Sequence, residues 1–137
     1  APRRVVSGLD GNRLAILLAV LDRKADVGVL DRDVFASVAG GARVEERALD
    51  LALVLAVVSS YRNRPVPVDV AAFGEVGLAG EVRAVPRPGP RVQEAAKLGF
   101  SRVILPAANA DRLTKSERKG VRLIAVNTVE EALAVLS

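Results

Sequence analysis

The sequence predicts a single mixed α/β domain, of the α+β class, in which a mixed sheet packs against helices. Near the C-terminal end, two apolar runs, SRVILPA and VRLIAVNT, are each followed by a helical segment. This alternation favours two parallel strands joined by a crossover. The 137 residues, half of them hydrophobic, are enough for one domain over residues 1–137 with a substantial core.

The first part of the chain predicts two short strands separated by an apolar helix. APRRVVSGLDGN predicts a strand followed by a glycine turn, and Asp10 or Asn12 is placed to cap a helix over residues 13–24. Alternating apolar residues in DVFASVAGG predict the second strand. We expect the strands in this part of the chain to pair in an antiparallel manner.

The stretch GGARVEERALDLALVLAVVSS predicts a turn followed by a long apolar helix over residues 46–61. Three carboxylates lie near the start of this helix: Glu45, Glu46 and Asp50. Negative charge there complements the helix dipole, so capping and a solvated turn explain these residues better than an acid–base pair or a metal site. Ser59 and Ser60 lie at the opposite end, without a lysine close in sequence, and are interpreted as polar residues that end the helix.

The second half of the chain predicts a hairpin and then a regular alternation of strands and helices. VDVAAFGEVG and GEVRAV predict two strands that pair as a hairpin. Pro90 is expected at or just before the start of the next helix, which Gly99 ends. NADRLTKSERKG predicts a short helix and a charged loop. Thr128 is placed to cap the last helix, with Glu131 completing a capping box.

Several functional classes are excluded by what the sequence lacks. No cysteine or histidine occurs, which excludes a disulfide framework, a thiolate metal site and a histidine base. Walker A and G-x-G-x-x-G motifs are absent, so no P-loop nucleotide site is expected. No signal peptide opens the chain and no apolar run approaches the ~20 residues of a membrane span, so we expect a cytoplasmic protein. A chain that begins at Ala1 and contains no methionine is typical of a fragment of a longer protein.

Positive charge is concentrated in the second half of the chain. Between Arg83 and Arg122, ten basic residues accompany three acidic ones, a net charge of +7, whereas the rest of the chain has a net charge of −3. A one-sided basic segment is typical of a nucleic-acid-binding face, although a solvated surface of arginine-rich helices and loops gives the same pattern. Lys97 lies in a helix whose neighbouring residues favour exposure over a role as a buried base.

The order of these segments resembles the Lon-protease-like C-terminal domain of the bacterial RadA (Sms) family of DNA repair proteins, which are RecA paralogues. The resemblance extends over nearly the whole chain. It rests on GLDGNRLAILLAVLDRKA, DVFASVAGGARVEE, DLALVLAVVSSYRNRPVP, FGEVGLAGEVRAV, RVQEAAKLGFSRVILP and KGVRLIAVNTVEEALAVL. The resemblance implies the Lon proteolytic-domain fold, which is like domain 2 of ribosomal protein S5. It also implies a parent with an N-terminal zinc finger and a RecA-like hexameric ATPase. ATP, Mg²⁺ and Zn²⁺ are therefore expected only in other parts of the parent, and no cofactor is expected in this domain.

The resemblance also implies that the catalytic residues of a Lon peptidase are missing. Lon-type peptidases use a Ser–Lys dyad whose serine lies in a Gly-Pro-Ser-Ala-Gly turn at the start of the long apolar helix. Laying that helix on the one predicted here places the turn on residues 46–50, with Ala48 in the position of the serine, and the dyad lysine falls on Arg91. Alanine has no nucleophilic atom, and arginine keeps its proton near neutral pH. We therefore expect no peptidase activity, and a residual serine hydrolase is a remote alternative.

From the resemblance, the empty dyad and the basic segment, we predict a non-catalytic DNA-binding and hexamer-forming module. Its parent would be a RadA-like, ATP-dependent recombination and branch-migration motor. The domain would bind the backbone of single- or double-stranded DNA independently of sequence. The residues expected to bind DNA are Arg3, Arg4, Arg87, Arg91, Lys97, Arg102, Lys115, Arg118 and Lys119. Expected partners are further copies of the chain and the RecA recombinase, with no membrane partner. The alternative is an oligomerisation and protein-interaction scaffold that does not contact DNA.

Overall fold

The computed structural model describes residues 1–136, which form a mixed α/β domain as predicted. Its strands are β1 (Arg4–Ser7), β2 (Val34–Ser37), β3 (Val70–Ala72), β4 (Glu75–Val76), β5 (Val82–Arg83), β6 (Arg102–Pro106) and β7 (Arg122–Val126). Its helices are α1 (Gly11–Lys24), α2 (Asp50–Arg62), α3 (Pro88–Lys97), α4 (Ala107–Ala110) and α5 (Val129–Leu133). Short 3₁₀ turns lie at Ala39–Gly41, Arg47–Leu49 and Ala134–Leu136.

β1 and β2 form a two-stranded parallel sheet. The expectation of antiparallel pairing in this part of the chain is therefore wrong. The physical reason is the 14-residue helix α1 between the two strands. A tight turn reverses the chain and gives an antiparallel pair, whereas a helical crossover carries it back to the end where the first strand began, so the second strand runs in the same direction.

The second half of the chain is organised around a three-stranded parallel sheet in the order β3-β6-β7. β6 and β7 are the two apolar runs for which parallel pairing was predicted, and that prediction is confirmed. β4 and β5 form an antiparallel hairpin, as predicted. The single strand predicted over VDVAAFGEVG is wrong, because its first part is β3, which pairs with β6 in the parallel sheet, and only β4 pairs with β5. α3 begins at Pro88, slightly earlier than the predicted start near Pro90, because a proline in the first turn has a suitable φ and no N–H that needs a partner. Gly99 follows the end of α3 with a φ of +94°, as its predicted role requires.

The long apolar helix begins later than predicted. α2 starts at Asp50, because residues 47–49 form a 3₁₀ turn. Glu45 and Glu46 therefore precede the helix, and Asp50 is the acidic residue of its first turn. Asn63 ends the helix in the left-handed conformation, with a φ of +53°.

Both predicted helix caps are present. Asp10, and not Asn12, caps α1 by accepting a hydrogen bond from the backbone N–H of Asn12 at 2.9 Å. Thr128 caps α5, and Glu131 completes the capping box by accepting from the backbone N–H of Thr128 at 3.0 Å. Each cap satisfies backbone N–H groups that a helix start leaves without an intrahelical partner.

Apolar side chains pack into two clusters. The larger one joins α1 and α2 to α5, and its fully buried members include Leu14, Leu18, Leu21, Leu51, Val54 and Val58. The smaller one packs α3 onto the three-stranded sheet, and it includes Ala48, Phe73, Val92, Val103 and Leu105. Aliphatic residues supply almost all of this interior, because the chain has only three phenylalanines, one tyrosine and no tryptophan.

A buried ion pair connects the first two helices to the hairpin. Asp50 is 2% exposed, and its Oδ1 accepts a hydrogen bond from Nε of Arg13 at 3.0 Å. Oδ2 of Asp50 accepts from the guanidinium of Arg13 and also from the backbone N–H of Val76, the latter at 3.0 Å. The same guanidinium donates to the carbonyl oxygen of Val76 at 2.9 Å. The hydrogen bond to Asp50 raises the pKa of Arg13 above its ordinary value. The pair therefore fixes α1, α2 and β4 relative to one another.

A buried asparagine connects α4 to the segment that follows the hairpin. Asn109 is 2% exposed, and its side-chain amide donates to the carbonyl oxygen of Val85 at 3.0 Å. Its side-chain oxygen accepts from the backbone N–H of Val85 at 2.9 Å. One amide side chain thus satisfies both polar backbone groups of a buried residue.

Candidate functional site

Residues 46–50, where the resemblance places the catalytic turn, lie against the end of β3. The backbone N–H of Gly74 donates to the carbonyl oxygen of Ala48 at 2.9 Å, and the N–H of Leu51 donates to the carbonyl oxygen of Gly74 at 3.1 Å. Ala48 is 7% exposed and belongs to the same apolar cluster as Phe73. The side chain at this position is therefore a buried methyl group that packs and offers no nucleophile.

Arg91 reaches the same turn from α3. Its Nη2 donates to Oε1 of Glu46 at 2.8 Å, and its Nε donates to the carbonyl oxygen of Pro86 at 2.9 Å. Its guanidinium lies 5.9 Å from the ring centroid of Phe73. The hydrogen bond from Arg91 lowers the pKa of Glu46. Arg91 therefore lies close to the turn that contains Ala48. The assignment of these two residues to the dyad positions stays a prediction.

The three carboxylates around this turn are each paired with a different arginine. The pairs are Glu45 with Arg43, Glu46 with Arg91, and Asp50 with Arg13. Asp50 is buried, so the prediction of a solvated turn is wrong for this residue, because its carboxylate joins elements distant in the sequence. Within residues 1–136, no group of three or more acidic side chains is arranged to hold a metal ion. These carboxylates neutralise arginines, and the geometry pairs none of them with another acid.

The serines at the end of α2 serve the helix terminus. Oγ of Ser59 donates to the carbonyl oxygen of Arg64 at 2.6 Å. Ser60 lies in the same last turn and is exposed. Their interpretation as polar residues at a helix end is confirmed.

The predicted DNA-binding residues of α3 lie at its two ends. Arg87 and Arg91 line a groove of about 420 Å³ that extends along α3 to Leu98, together with Phe73 and other apolar side chains. Lys97 lies in the last turn and is exposed, as predicted. Ten residues of helix span about 15 Å, so Arg87 and Lys97 lie far apart.

Arg102 begins strand β6 and is held by an acid. Its Nε and Nη2 each donate to the carboxylate of Asp69 at 2.8 Å, and Oγ of Ser101 donates to the same carboxylate at 2.7 Å. These hydrogen bonds, from Arg102 first and Ser101 second, hold the pKa of Asp69 well below its usual range. The exposed Arg122 lies opposite Arg102 in the register of the sheet. Sequence reasoning did not include Arg122, although the basic residues that open both apolar runs are a signal for it.

The N-terminal arginines lie on the two-stranded sheet. Arg3 forms an ion pair with Asp33 at 3.6 Å, and its guanidinium lies 5.3 Å from the ring centroid of Phe35. The guanidinium of Arg4 donates to backbone carbonyl oxygens, including that of Leu30 at 2.8 Å. Both side chains therefore have partners within the domain.

The remaining predicted residues lie in the loop between α4 and β7. Lys115, Arg118 and Lys119 are all exposed there, and none forms an ion pair with the described part of the chain. The nine predicted residues therefore do not form one cluster. Arg3 and Arg4 lie at the start of the two-stranded sheet, Arg102 begins β6, and Lys97 lies in the last turn of α3. The loop approaches the opposite end of α3, next to Arg87 and Arg91, because Glu117 lies against Gly89 there.

The fold agrees with a match to a known protein family. Residues 29–137 match the family model described as the Lon protease (S16) C-terminal proteolytic domain, and the chain belongs to that family. Nearly the whole of the chain is similar to DNA repair proteins named RadA. It is 53% identical to that of Escherichia coli K12 over 134 residues, which are 98% of this chain and 28% of that protein. It is 54% identical to that of Pseudomonas aeruginosa PAO1 over 98% of this chain and 29% of that protein. It is 48% identical to that of Bacillus subtilis 168 over 96% of this chain and 28% of that protein.

The chain spans less than a third of the length of each of these relatives. Across residues 1–136, no helix is both long enough and apolar enough to cross a bilayer.

Proposed function

We propose that this domain is the DNA-backbone-binding, ring-forming module of a RadA-like DNA repair motor and has no catalytic activity of its own. The family of the chain and its similarity to three RadA proteins support its assignment to a DNA repair protein. One observation supports the mode of binding: seven exposed cations in the second half form no ion pair within residues 1–136. They are Arg87, Lys97, Arg112, Lys115, Arg118, Lys119 and Arg122.

These seven cations suit a phosphate backbone better than a particular sequence of bases. Phosphate contacts need positive charge and little special geometry. The segment between Arg83 and Arg122, which contains all seven, has only three acidic residues, so its excess of positive charge is large. Arg91 and Arg102 are engaged by Glu46 and Asp69, and we assign them a smaller share of the binding than the unpaired cations.

The proposal extends to the assembly. In a hexamer, each copy would present the same seven cations, so that a DNA backbone meets repeated positive charge without base readout. ATP hydrolysis and branch migration belong to other parts of the proposed parent, and the RecA recombinase is its proposed partner.

The test is a comparison of two charge-matched triple variants. Lys115→Gln, Arg118→Gln and Lys119→Gln together remove three of the seven charges, all from the loop between α4 and β7. A control triple variant removes three exposed charges elsewhere, at Arg23, Lys24 and Arg47. Affinity for a labelled duplex is measured by fluorescence anisotropy between about 50 and 200 mM salt.

We expect the first variant to bind more weakly and with a smaller dependence on salt. The slope of log K against log[salt] should change by about 0.9 for each phosphate that the variant no longer neutralises. The control should retain most of the wild-type slope. Equal losses of affinity in both variants would show that only net charge matters. Absence of binding at low salt would contradict the DNA role and support the scaffold alternative. Turnover of a peptide that a single Ser→Ala change abolishes would contradict the non-catalytic assignment.

A further inference from the structure

Two of the four aromatic side chains in this protein lie on the surface of one groove. Phe35 on β2 is 62% exposed, and Tyr61 near the end of α2 is 41% exposed. Both line a groove of about 790 Å³ between these elements. By contrast, Phe73 is 8% exposed and packs in the core. The domain therefore leaves half of its few aromatic rings in contact with solvent at one place.

Each exposed ring is accompanied by an arginine. The guanidinium of Arg3 lies 5.3 Å from the ring centroid of Phe35, and that of Arg32 lies 5.4 Å from the centroid of Tyr61. The guanidinium of Arg4 donates to the carbonyl oxygen of Arg32, which fixes the loop that carries this second arginine. The groove thus combines aromatic faces with cations held beside them.

The charge around the groove is compatible with a polyanion. Asp33 is the acidic residue among those that line it, and it is paired with Arg3. Two further arginines, Arg62 and Arg64, follow Tyr61 along the chain and are exposed. Positive charge therefore exceeds negative charge at this end of α2.

We propose that this aromatic groove binds single-stranded nucleic acid by stacking bases on Phe35 and Tyr61, while its arginines contact phosphates. Binding sites for single strands combine these two elements, because every unpaired base has a π-face. A duplex buries those faces, so the groove selects the single-stranded form. The inference rests on the proposed DNA-binding function, but it places the contact on residues other than the seven cations of the second half.

Tyrosine fluorescence provides a direct readout of this groove. Tyr61 is the only tyrosine, and the chain has no tryptophan, so intrinsic emission reports this one position. A short oligo(dT) strand should quench the emission in a saturable manner. A strand of the same length in which every nucleotide is abasic has the same phosphates and should not quench it. Free N-acetyltyrosinamide in the same titration corrects for light absorbed by the DNA.

A variant tests the stacking contact itself. Phe35→Leu keeps an apolar side chain and removes the aromatic face, and it should weaken binding of oligo(dT) about five-fold or more. Binding of duplex and of the abasic strand should stay unchanged. Leu98→Ala is the matched control, because Leu98 is also an exposed apolar residue, at 67%, but lies at the end of α3. Circular dichroism checks that each variant is folded.

The outcomes separate this inference from the proposed function. Salt-dependent duplex binding without quenching by oligo(dT) would overturn the stacking site alone. The triple variant at Lys115, Arg118 and Lys119 is also titrated with oligo(dT). If oligo(dT) still quenches the emission of Tyr61 in this variant, the stacking site is supported, whether or not the variant alters duplex binding. Equal affinity for oligo(dT) and the abasic strand would overturn the inference. A smaller assembly in light scattering for Phe35→Leu, with unaltered DNA binding, would identify the groove as an interface between copies of the chain and would also overturn it.

Discussion

Replacing Asp50 with alanine is expected to destabilise the domain by about 3–5 kcal/mol, the usual range for removing one partner of a buried ion pair. The carboxylate is 2% exposed and accepts hydrogen bonds from Arg13 and from the backbone N–H of Val76. Its removal leaves a guanidinium whose side chain is only 14% exposed without its counter-charge. It also leaves a buried peptide N–H without an acceptor, which adds to the cost.

This destabilisation is large compared with the total stability of a small domain, which is about 5–15 kcal/mol. For a chain of this length, it corresponds to a fall in Tm on the order of 10–20 °C. Urea denaturation followed by circular dichroism measures the change in the free energy of unfolding. Because the pair is buried, added salt should alter this change little. Glu45→Ala is the control, since the Arg43–Glu45 pair is about two-thirds exposed on both sides and its removal should cost less than about 1 kcal/mol.

A double-mutant cycle tests the reasoning further. Arg13→Met should also be costly, because it leaves the carboxylate of Asp50 buried without a cation. The double variant Arg13→Met with Asp50→Leu should be more stable than the sum of the two single effects indicates, because no buried charge is left. Its recovery should be incomplete, since the backbone groups of Val76 lose their partners. Additive effects, or a cost below about 1 kcal/mol for Asp50→Ala, would refute the assignment of this pair as a buried structural link.

Three other perturbations have distinct expected results. Asn109→Leu should cost about 1–3 kcal/mol in urea denaturation, because it leaves the N–H and carbonyl oxygen of a buried backbone unit unsatisfied; an unchanged midpoint would contradict this. Gly8→Ala should destabilise more than Gly40→Ala: both glycines have a positive φ, but a Cβ at the first would lie 2.4 Å from a backbone oxygen, whereas the second has open space around it. Equal Tm values for these two variants would show that the clash is relieved without cost. The lowered pKa of Asp69 means that its contribution to stability is present above its ordinary pKa, about 3.9, and is lost as the pH falls towards its folded-state value. Asp69→Asn should therefore weaken the dependence of the unfolding free energy on pH below about pH 4. An unchanged pH dependence in this range would contradict the pairing of Asp69 with Arg102.

Local features of this fold follow from the sequence, whereas non-local ones follow only in part, as in the parallel pairing of β6 and β7. The capping box at Thr128 and Glu131 depends on residues three apart and was predicted correctly. The pairing direction of β1 and β2 was predicted wrongly, although the helix predicted between them is a crossover and favours parallel pairing. The partner of Asp50 lies 37 residues away, and no periodic pattern connects the two.

The candidate site shows the same division. Counting charges located the basic second half of the chain, but it did not distinguish Lys97, which has no acidic partner in the described structure, from Arg102, which is held by Asp69. The proximity of Arg91 to the turn at Ala48 was reached only through the family resemblance, since Arg91 and its partner Glu46 are 45 residues apart. Exposure of Phe35 follows from strand alternation, whereas its place beside Tyr61 depends on the packing of β2 and α2.

The ion pair between Arg91 and Glu46 bears on how a Ser–Lys chemistry could be regained at this turn. A serine in place of Ala48 would supply a nucleophile, and a lysine in place of Arg91 would supply an amine that can lose a proton. That amine would face the carboxylate of Glu46, and a neighbouring negative charge raises the pKa of a lysine and keeps it protonated. Such a lysine is a poor base near neutral pH. If Ala48 and Arg91 occupy the dyad positions, as the resemblance predicts, a serine at 48 and a lysine at 91 would therefore leave the lysine paired with Glu46, and this carboxylate would have to be removed as well.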